Sequence, residues 1–583
     1  DILANSWRLK ASNQMVQCIF YIVTYMRHTS NLEGAIAFAA EHIAPPLSLD
    51  LKKILWDVES EKYESVKEAL DNYLETWRKW NIEFIESFHL VESSLYEPSE
   101  DRRLALVDRA LDVMLEGTYE KMLHYAHNLQ SPIQTLHMLG VIMPLLGLVI
   151  LPLMVSFMEG VKWYYIAVIY NVTLPLIVYY IGKIILSKRP TGYGETDLSQ
   201  SNPELGKYKN IILNIGSIEM RINPLFLSVF IGVFLFFIGI LPVILPLVPG
   251  FVDPPPIAGF HFLDYHISVA KEGAMVGQTV GPFGLGATIL SLFITLAFGL
   301  GIGIYYNLRS KNLIKIREET KKLENEFASA IFQLGNRLGD GIPAEIAFSK
   351  VADIMRDTTS GNFFQVVSMN ITKLGMGVKE AIFNENSGAI LFYPSNIIES
   401  SMKVLIQAIK KGPMVAAQAL TNVSRYIKEI HRVDERLKDL LADVISSMKS
   451  QVSFIAPAIA GVVVGITSMV TTILQKLGTQ METLAAESGD AAVGAGGMVS
   501  MFGDGMPTYY FQIIVGLYVV QIVYILTILA NGVENGSDSL NERYLIGQNL
   551  IKSTILYIFV AFIVTLLFNF VATTVLEAGF AVS

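Results

Sequence analysis

The chain has 583 residues, of which 52% are hydrophobic and only 17% charged, with a formal net charge of −9. Soluble domains carry nearer a quarter charged residues, so this composition excludes an ordinary soluble protein, and the acidic balance argues against nucleic acid as a partner. A single cysteine, Cys18, excludes an intrachain disulfide and a cysteine-based zinc site.

Residues 1–137 read as a soluble helical domain. An amphipathic helix beginning near Met15 takes in Tyr21 to Arg27, and Ser30 with Glu33 has the spacing of a capping box at the start of the next helix. Pro45-Pro46 closes that helix and a further one starts at Leu51. Tyr63 to Phe88 is rich in charge and aromatics, with Trp77, Trp80, Phe84 and Phe88 at helical spacing. After a break at Glu97-Pro98-Ser99-Glu100, the series Leu104, Val107, Leu111, Met114, Thr118, Met122 and Tyr125 marks the seam of a helix packed in a bundle.

That helix leads into a membrane region at 138–186 holding spans 1 and 2, each long enough for a hydrocarbon core of about 30 Å. Pro144 and Pro152 are expected to kink the first span. A basic loop, 187–224, precedes spans 3 and 4 within 225–306, which are separated by a proline- and glycine-rich loop at 249–285. Residues 307–450 form a second helical domain, whose last helix carries a seam broken at Asp434. Spans 5 to 7 lie within 451–583, with a glycine-rich loop at 475–508. Loops 249–285 and 475–508 hold one cation each, whereas 187–224 and both helical domains are rich in Lys and Arg. The positive-inside rule then places both domains in the cytoplasm and makes the chain a multi-pass protein of the cell membrane. The first residue is Asp1 and no signal-peptide pattern follows it, so the chain is expected to be a fragment.

The two helical domains repeat one another. Leu32-Glu33-Gly34-Ala35-Ile36-Ala37-Phe38 parallels Ile342-Pro343-Ala344-Glu345-Ile346-Ala347-Phe348, 310 positions later. Val66-Lys67-Glu68-Ala69-Leu70 parallels Val378-Lys379-Glu380-Ala381-Ile382 at an offset of 312, and Pro144 parallels Pro457 at 313. Matches in the same order and nearly the same register point to duplication of a bundle plus its membrane helix. In the second copy Asp340-Gly341 is a turn dipeptide, and Pro343 is expected as the first residue of the following helix.

Chemistry is sparse. No Gly-x-x-x-x-Gly-Lys-Ser/Thr loop exists, so the chain is not read as a nucleotide-driven motor by itself. Gly299, Gly301 and Gly303, and likewise Gly461 and Gly465, read as close-packing positions within spans. His124, His127 and His137 cluster before the first span without a completing carboxylate, so packing is the preferred reading over metal binding. Neither a His-Glu-x-x-His nor a Gly-x-Ser-x-Gly motif occurs. Ionisable residues inside the spans are nearly absent, which favours a packed scaffold over a charged transport pathway. Arg102, Arg103, Arg337, Lys373, Arg425, Arg432 and Arg436 read as solvated faces.

The Gly-Asp-Gly-Ile-Pro-Ala-Glu segment at 339–345, the Gly-Val-Lys-Glu-Ala segment at 377–381 and the bundle-then-span duplication resemble the type II secretion F-domain family, and within it the archaeal archaellum or type IV pilus assembly platform proteins. The resemblance implies an all-α polytopic membrane protein with two cytoplasmic antiparallel bundles, tandem F-domain modules, and about seven transmembrane helices. It further implies a non-enzymatic platform without cofactor or metal. Such a platform couples a hexameric secretion ATPase at its cytoplasmic face to pilin- or archaellin-like subunits in the bilayer, and forms a homo-oligomer. The expected ATPase contact is the turn at Arg337, Asp340, Gly341 and Pro343, with its counterpart at Arg27, Ser30 and Glu33. The first copy has His28-Thr29-Ser30-Asn31 in place of Gly-Asp-Gly-Ile-Pro, so identical contacts from both copies are not implied. The alternatives are a transporter or channel built on duplicated halves, and a platform for type II-like protein secretion.

Overall fold

The structure, a computed structural model, describes residues 2–157, 163–187, 210–215, 218–249, 253, 262–267, 279–393, 395–487, 506–536 and 538–580. The first helical unit contains α1 (Ile2–His28), α2 (Leu32–His42), α3 (Leu47–Glu59), α4 (Val66–Glu75), α5 (Ile82–Ser94) and α6 (Glu100–His137). α6 passes through a π-helical turn, Met138–Ile142, into α7 (Met143–Phe157). Next come α8 (Trp163–Val168), a second π turn, and α9 (Leu174–Ser187). α10 (Pro224–Ile244) leads towards α11 (Leu285–Gly339). The second unit continues with α12 (Ala344–Ile354), α13 (Thr359–Leu374), α14 (Val378–Phe383), α15 (Ala389–Phe392), α16 (Asn396–Ile409) and α17 (Pro413–Ser450). A third π turn, Gln451–Ile455, opens α18 (Ala456–Glu487), and α19 (Thr508–Asn535) and α20 (Ser539–Phe580) complete the chain. Among the described residues seven helices are long and apolar enough to cross a membrane, the pattern of a multi-pass membrane protein.

Two short antiparallel strand pairs among the described residues depart from the helical expectation. Ile211–Ile215 (β1) pairs antiparallel with Ile218–Ile222 (β2), within the stretch read as a plain polar loop. His266–Ile267 (β3) pairs with Thr279–Val280 (β4) between α10 and α11. β1 and β2 are rich in isoleucine, a β-branched residue suited to a paired strand.

Local chemistry moves several boundaries. The cap of α2 is Asn31 rather than Ser30: its side chain accepts from the Gly34 amide at 3.0 Å. Pro343 precedes α12 as its cap, with an extended ψ of 143°, so the helix begins at Ala344. The aromatic stretch 63–88 divides into α4 and α5, because the Asn81 side chain accepts from Phe84 N and starts a new helix there. Trp77 is buried in the intervening turn, while Trp80 is exposed beneath the Arg8 guanidinium, 3.9 Å from the ring centre. α1 begins at Ile2, well before Met15.

Three π turns share one cause. Proline lacks an N–H and its ring clashes with the carbonyl four residues before it, so a helix can pass a proline by widening one turn. Met143 N bonds Met138 O, Leu174 N bonds Ile169 O and Ala456 N bonds Gln451 O, each immediately before Pro144, Pro175 or Pro457. Neighbouring helices meet the freed carbonyls. The Tyr518 hydroxyl donates to Gly140 O and the Ser553 hydroxyl donates to Val452 O at 2.7 Å. The expected kink at Pro144 is therefore a widened turn fixed from outside the helix.

Two cores result. One runs through both helical units, from Met15, Tyr21, Phe84 and Phe88 to Phe327, Phe348, Phe363 and Phe364. Across the junction Phe20 stacks on Tyr426, with ring centroids 3.4 Å apart and planes 4° from parallel. The other core lies among the spans and is built around α19, whose Tyr518, Ile522, Val523 and Leu526 are buried. Gly461 and Gly465 let α18 approach α20 closely: a Cβ on Gly465 would stand 2.5 Å from Val564. Gly299 admits Thr554 in the same way.

Candidate functional site

α11 is the element that positions the site. Its 55 residues reach about 80 Å at 1.5 Å per residue, well beyond a hydrocarbon core of about 30 Å. The apolar start lies among the spans, and Leu323, Phe327, Ile331 and Leu334 at its far end form the core of the second helical unit.

The helix ends in a Schellman turn. Ile342 N donates to Arg337 O at 3.1 Å and Gly341 N donates to Leu338 O at 3.0 Å. Gly341 has φ +80°, a conformation that a Cβ disfavours. Arg337, Asp340, Gly341 and Pro343 do come together here, the last three exposed. The Arg337 guanidinium lies 3.7 Å from Asp340, while its Nε is buried without a hydrogen-bond partner.

Beside the turn runs a groove between α11 and the start of α17. It is lined by Gln333, Asn336, Arg337, Asp340, Gln418 and Thr421, among others. Gly335 brings the two helices close, since a Cβ there would meet Ala417 O at 3.2 Å. The groove walls from α17 were not legible in the sequence, because they lie some 80 residues from the turn they face. Their only sequence signal is a polar face, Gln418 and Thr421, on an otherwise small-residue helix start.

The first copy places its equivalents differently. Arg27 lies 310 positions before Arg337 and also has an unpartnered Nε, but its Nη2 reaches Asp108 at 2.7 Å. Burial pulls the Arg27 guanidinium pKa down, and Asp108 opposes that pull. Arg425 of the second copy reaches the same carboxylate at 3.4 Å, and Lys411 donates to Thr29 at 3.0 Å. This turn is thus partly occupied by contacts between the two copies, although Ser30 and Glu33 are exposed. α6 and α17 align at an offset of 313, which puts Thr421 at the place of Asp108. The carboxylate that neutralises Arg27 is a threonine beside Arg337.

Arg103, read as a solvated residue, is buried. It donates to Met26 O and Arg27 O, closing the end of α1, and forms an ion pair with Glu100 at 2.6 Å. Burial of its long stem and the orphan carbonyls of α1 drew it inward.

The histidines before the first span do not assemble: His124 and His127 are exposed and His137 is buried. Several neutral polar side chains among the described span residues pair with one another. Thr472 bonds Asn569 at 2.7 Å, Asn569 donates to Ser468 at 2.9 Å, and Gln512 donates to Tyr557 at 3.2 Å. No family model, curated protein or solved structure matches the chain.

Proposed function

We propose that the chain is a membrane platform of the F-domain type, from an archaeal type IV pilus-like or archaellum machine. In this reading a hexameric secretion ATPase docks at the cytoplasmic face and its conformational work is passed to filament subunits in the membrane. The observation that carries the reading is mechanical. In each copy the last bundle helix continues through a π turn into a membrane helix, from Glu100 to Leu151 and from Pro413 to Leu474. A rigid helix crossing from one medium to the other is the element such coupling needs. The chain brings no phosphate-binding loop, so the energy source belongs to a partner.

Docking is assigned to the second-copy turn and its groove. Arg337 there has one distant carboxylate and open neighbours, and a cation of this kind suits an acidic partner surface. The first-copy turn contributes through Ser30 and Glu33, with Arg27 held by Asp108 of its own bundle while Arg425 and Lys411 reach across from the second. Cells lacking the gene are expected to lose surface filaments while pilin-like subunits accumulate unassembled in the membrane. Normal filaments in such cells would sink the reading. Solute flux in liposomes containing only this protein would instead favour a transporter, and loss of protein secretion with intact filaments a secretion platform.

A further inference from the structure

Away from the turn, three potential ligand groups converge on the first helical unit. Asp71 projects from α4, and His89 and Glu92 from α5, and one ligand atom from each lies within 4.8 Å of the other two. His89 Nδ1 is 3.3 Å from Glu92 Oε2 and 3.9 Å from Asp71 Oδ1. Glu92 is 4% exposed, and its Oε1 is enclosed without a hydrogen-bond partner, as is Asp71 Oδ1. The imidazole nitrogen faces Glu92 Oε2 and Asp71 Oδ1, and the enclosed Glu92 Oε1 has no donor, so the two carboxylates carry more negative potential than the imidazole alone relieves. The adjacent cation, Lys67, lies over the Tyr96 ring at 5.2 Å instead of closing on either carboxylate.

We propose that Asp71, His89 and Glu92 form a binding site for a divalent transition-metal cation, zinc in the first place. One nitrogen and two carboxylate oxygens are a ligand set that zinc accepts, at distances of about 2.0–2.2 Å, with a fourth position left for water. The observed separations close to that geometry by small side-chain rotations, and His89 and Asp71, both half-exposed, leave a path for the ion. Helical spacing puts His89 and Glu92 on one face of α5, while Asp71 comes from the neighbouring helix, so the ion clips α4 to α5. The clip is independent of the docking proposal.

The test uses the full-length chain in detergent, stripped with chelator, desalted, and titrated with Co²⁺ and with Zn²⁺. Expected are one saturable site per chain, a visible Co²⁺ ligand-field band quenched by Zn²⁺, and a Zn²⁺-dependent rise in melting temperature. His89→Ala and Glu92→Gln should each weaken Zn²⁺ at least ~10-fold and remove the thermal shift. Asp71→Asn, at a half-exposed position, serves as the variant least exposed to folding defects. A chain carrying His124→Ala and His127→Ala should bind as the parent does. Binding that survives His89→Ala, or no saturable binding at all, would overturn the proposal and leave the trio as a hydrogen-bonded packing cluster.

Discussion

Arg27 and Arg337 hold equivalent places in the two copies and have different surroundings. Arg27 faces Asp108, with side chains 13% and 33% exposed, so its charge is committed inside the molecule. Reversing it with Arg27→Glu should cost between the ~1 kcal/mol of an exposed pair and the ~3–5 kcal/mol of a buried one, read by denaturant melts. Arg337→Glu should leave the melt nearly unchanged and act on partner binding instead. At Gly341, substitution by alanine should cost about 1–2 kcal/mol, because φ +80° forces a Cβ against the carbonyl. The turn itself was legible: Asp340-Gly341 announces it, and only glycine sits easily there. The cap of α2 was less so, since Ser30 and Asn31 are both good caps and only geometry chooses between them. Arg103 was misjudged for a related reason, since a sequence does not record which helix end lies within reach of a long side chain.

At the scale of elements, apolar length and 3/4 spacing make the spans and seam helices legible, and among the described residues long apolar helices run through the stretches read as spans. The continuity of the seam helices with spans 1 and 5 was legible, but that of span 4 with the second helical unit was not, because polarity changes along α11 while its hydrogen-bonded ladder does not. The coupling between bodies is equally long-range. Arg317 of α11 pairs with Asp538, before α20, at 2.6 Å, with both side chains largely buried. Asp538 also caps α20, accepting from Asn541 N at 3.0 Å. Asp538→Ala should therefore destabilise the membrane domain by about 3–5 kcal/mol, measurable as a lower thermal midpoint in detergent. Where α18 meets α20, Gly465→Leu would force side chains into Val564 and should cost ~1–3 kcal/mol or more. A wild-type midpoint in either variant would show that these joints carry no stability.

For the molecule as a whole, duplication explains the architecture: two bundles, each leading through a proline-linked π turn into the membrane, share one core at the junction of Phe20 and Tyr426. The offset of 313 between Pro144 and Pro457 was visible in the sequence, but the outside donors, Tyr518 and Ser553, were not. The proposed cytoplasmic placement of both helical units, argued from the positive-inside rule, has a simple readout. Cys18 is buried, and burial pushes its thiol pKa up, so it is a silent background for labelling. Asp340→Cys and Ser30→Cys should react with a membrane-impermeant maleimide only in inverted vesicles. Labelling in intact cells would contradict a cytoplasmic placement of the bundles.

The platform account rests most directly on one binding measurement. The full-length chain in nanodiscs is titrated with the secretion ATPase hexamer encoded in the same genome, beside the Arg337→Glu variant. The account predicts saturable binding by the parent chain, weakened by added salt and by the charge reversal. No binding by the parent chain would contradict the platform account, and equal binding by both would contradict the assignment of the docking surface to the Arg337 turn.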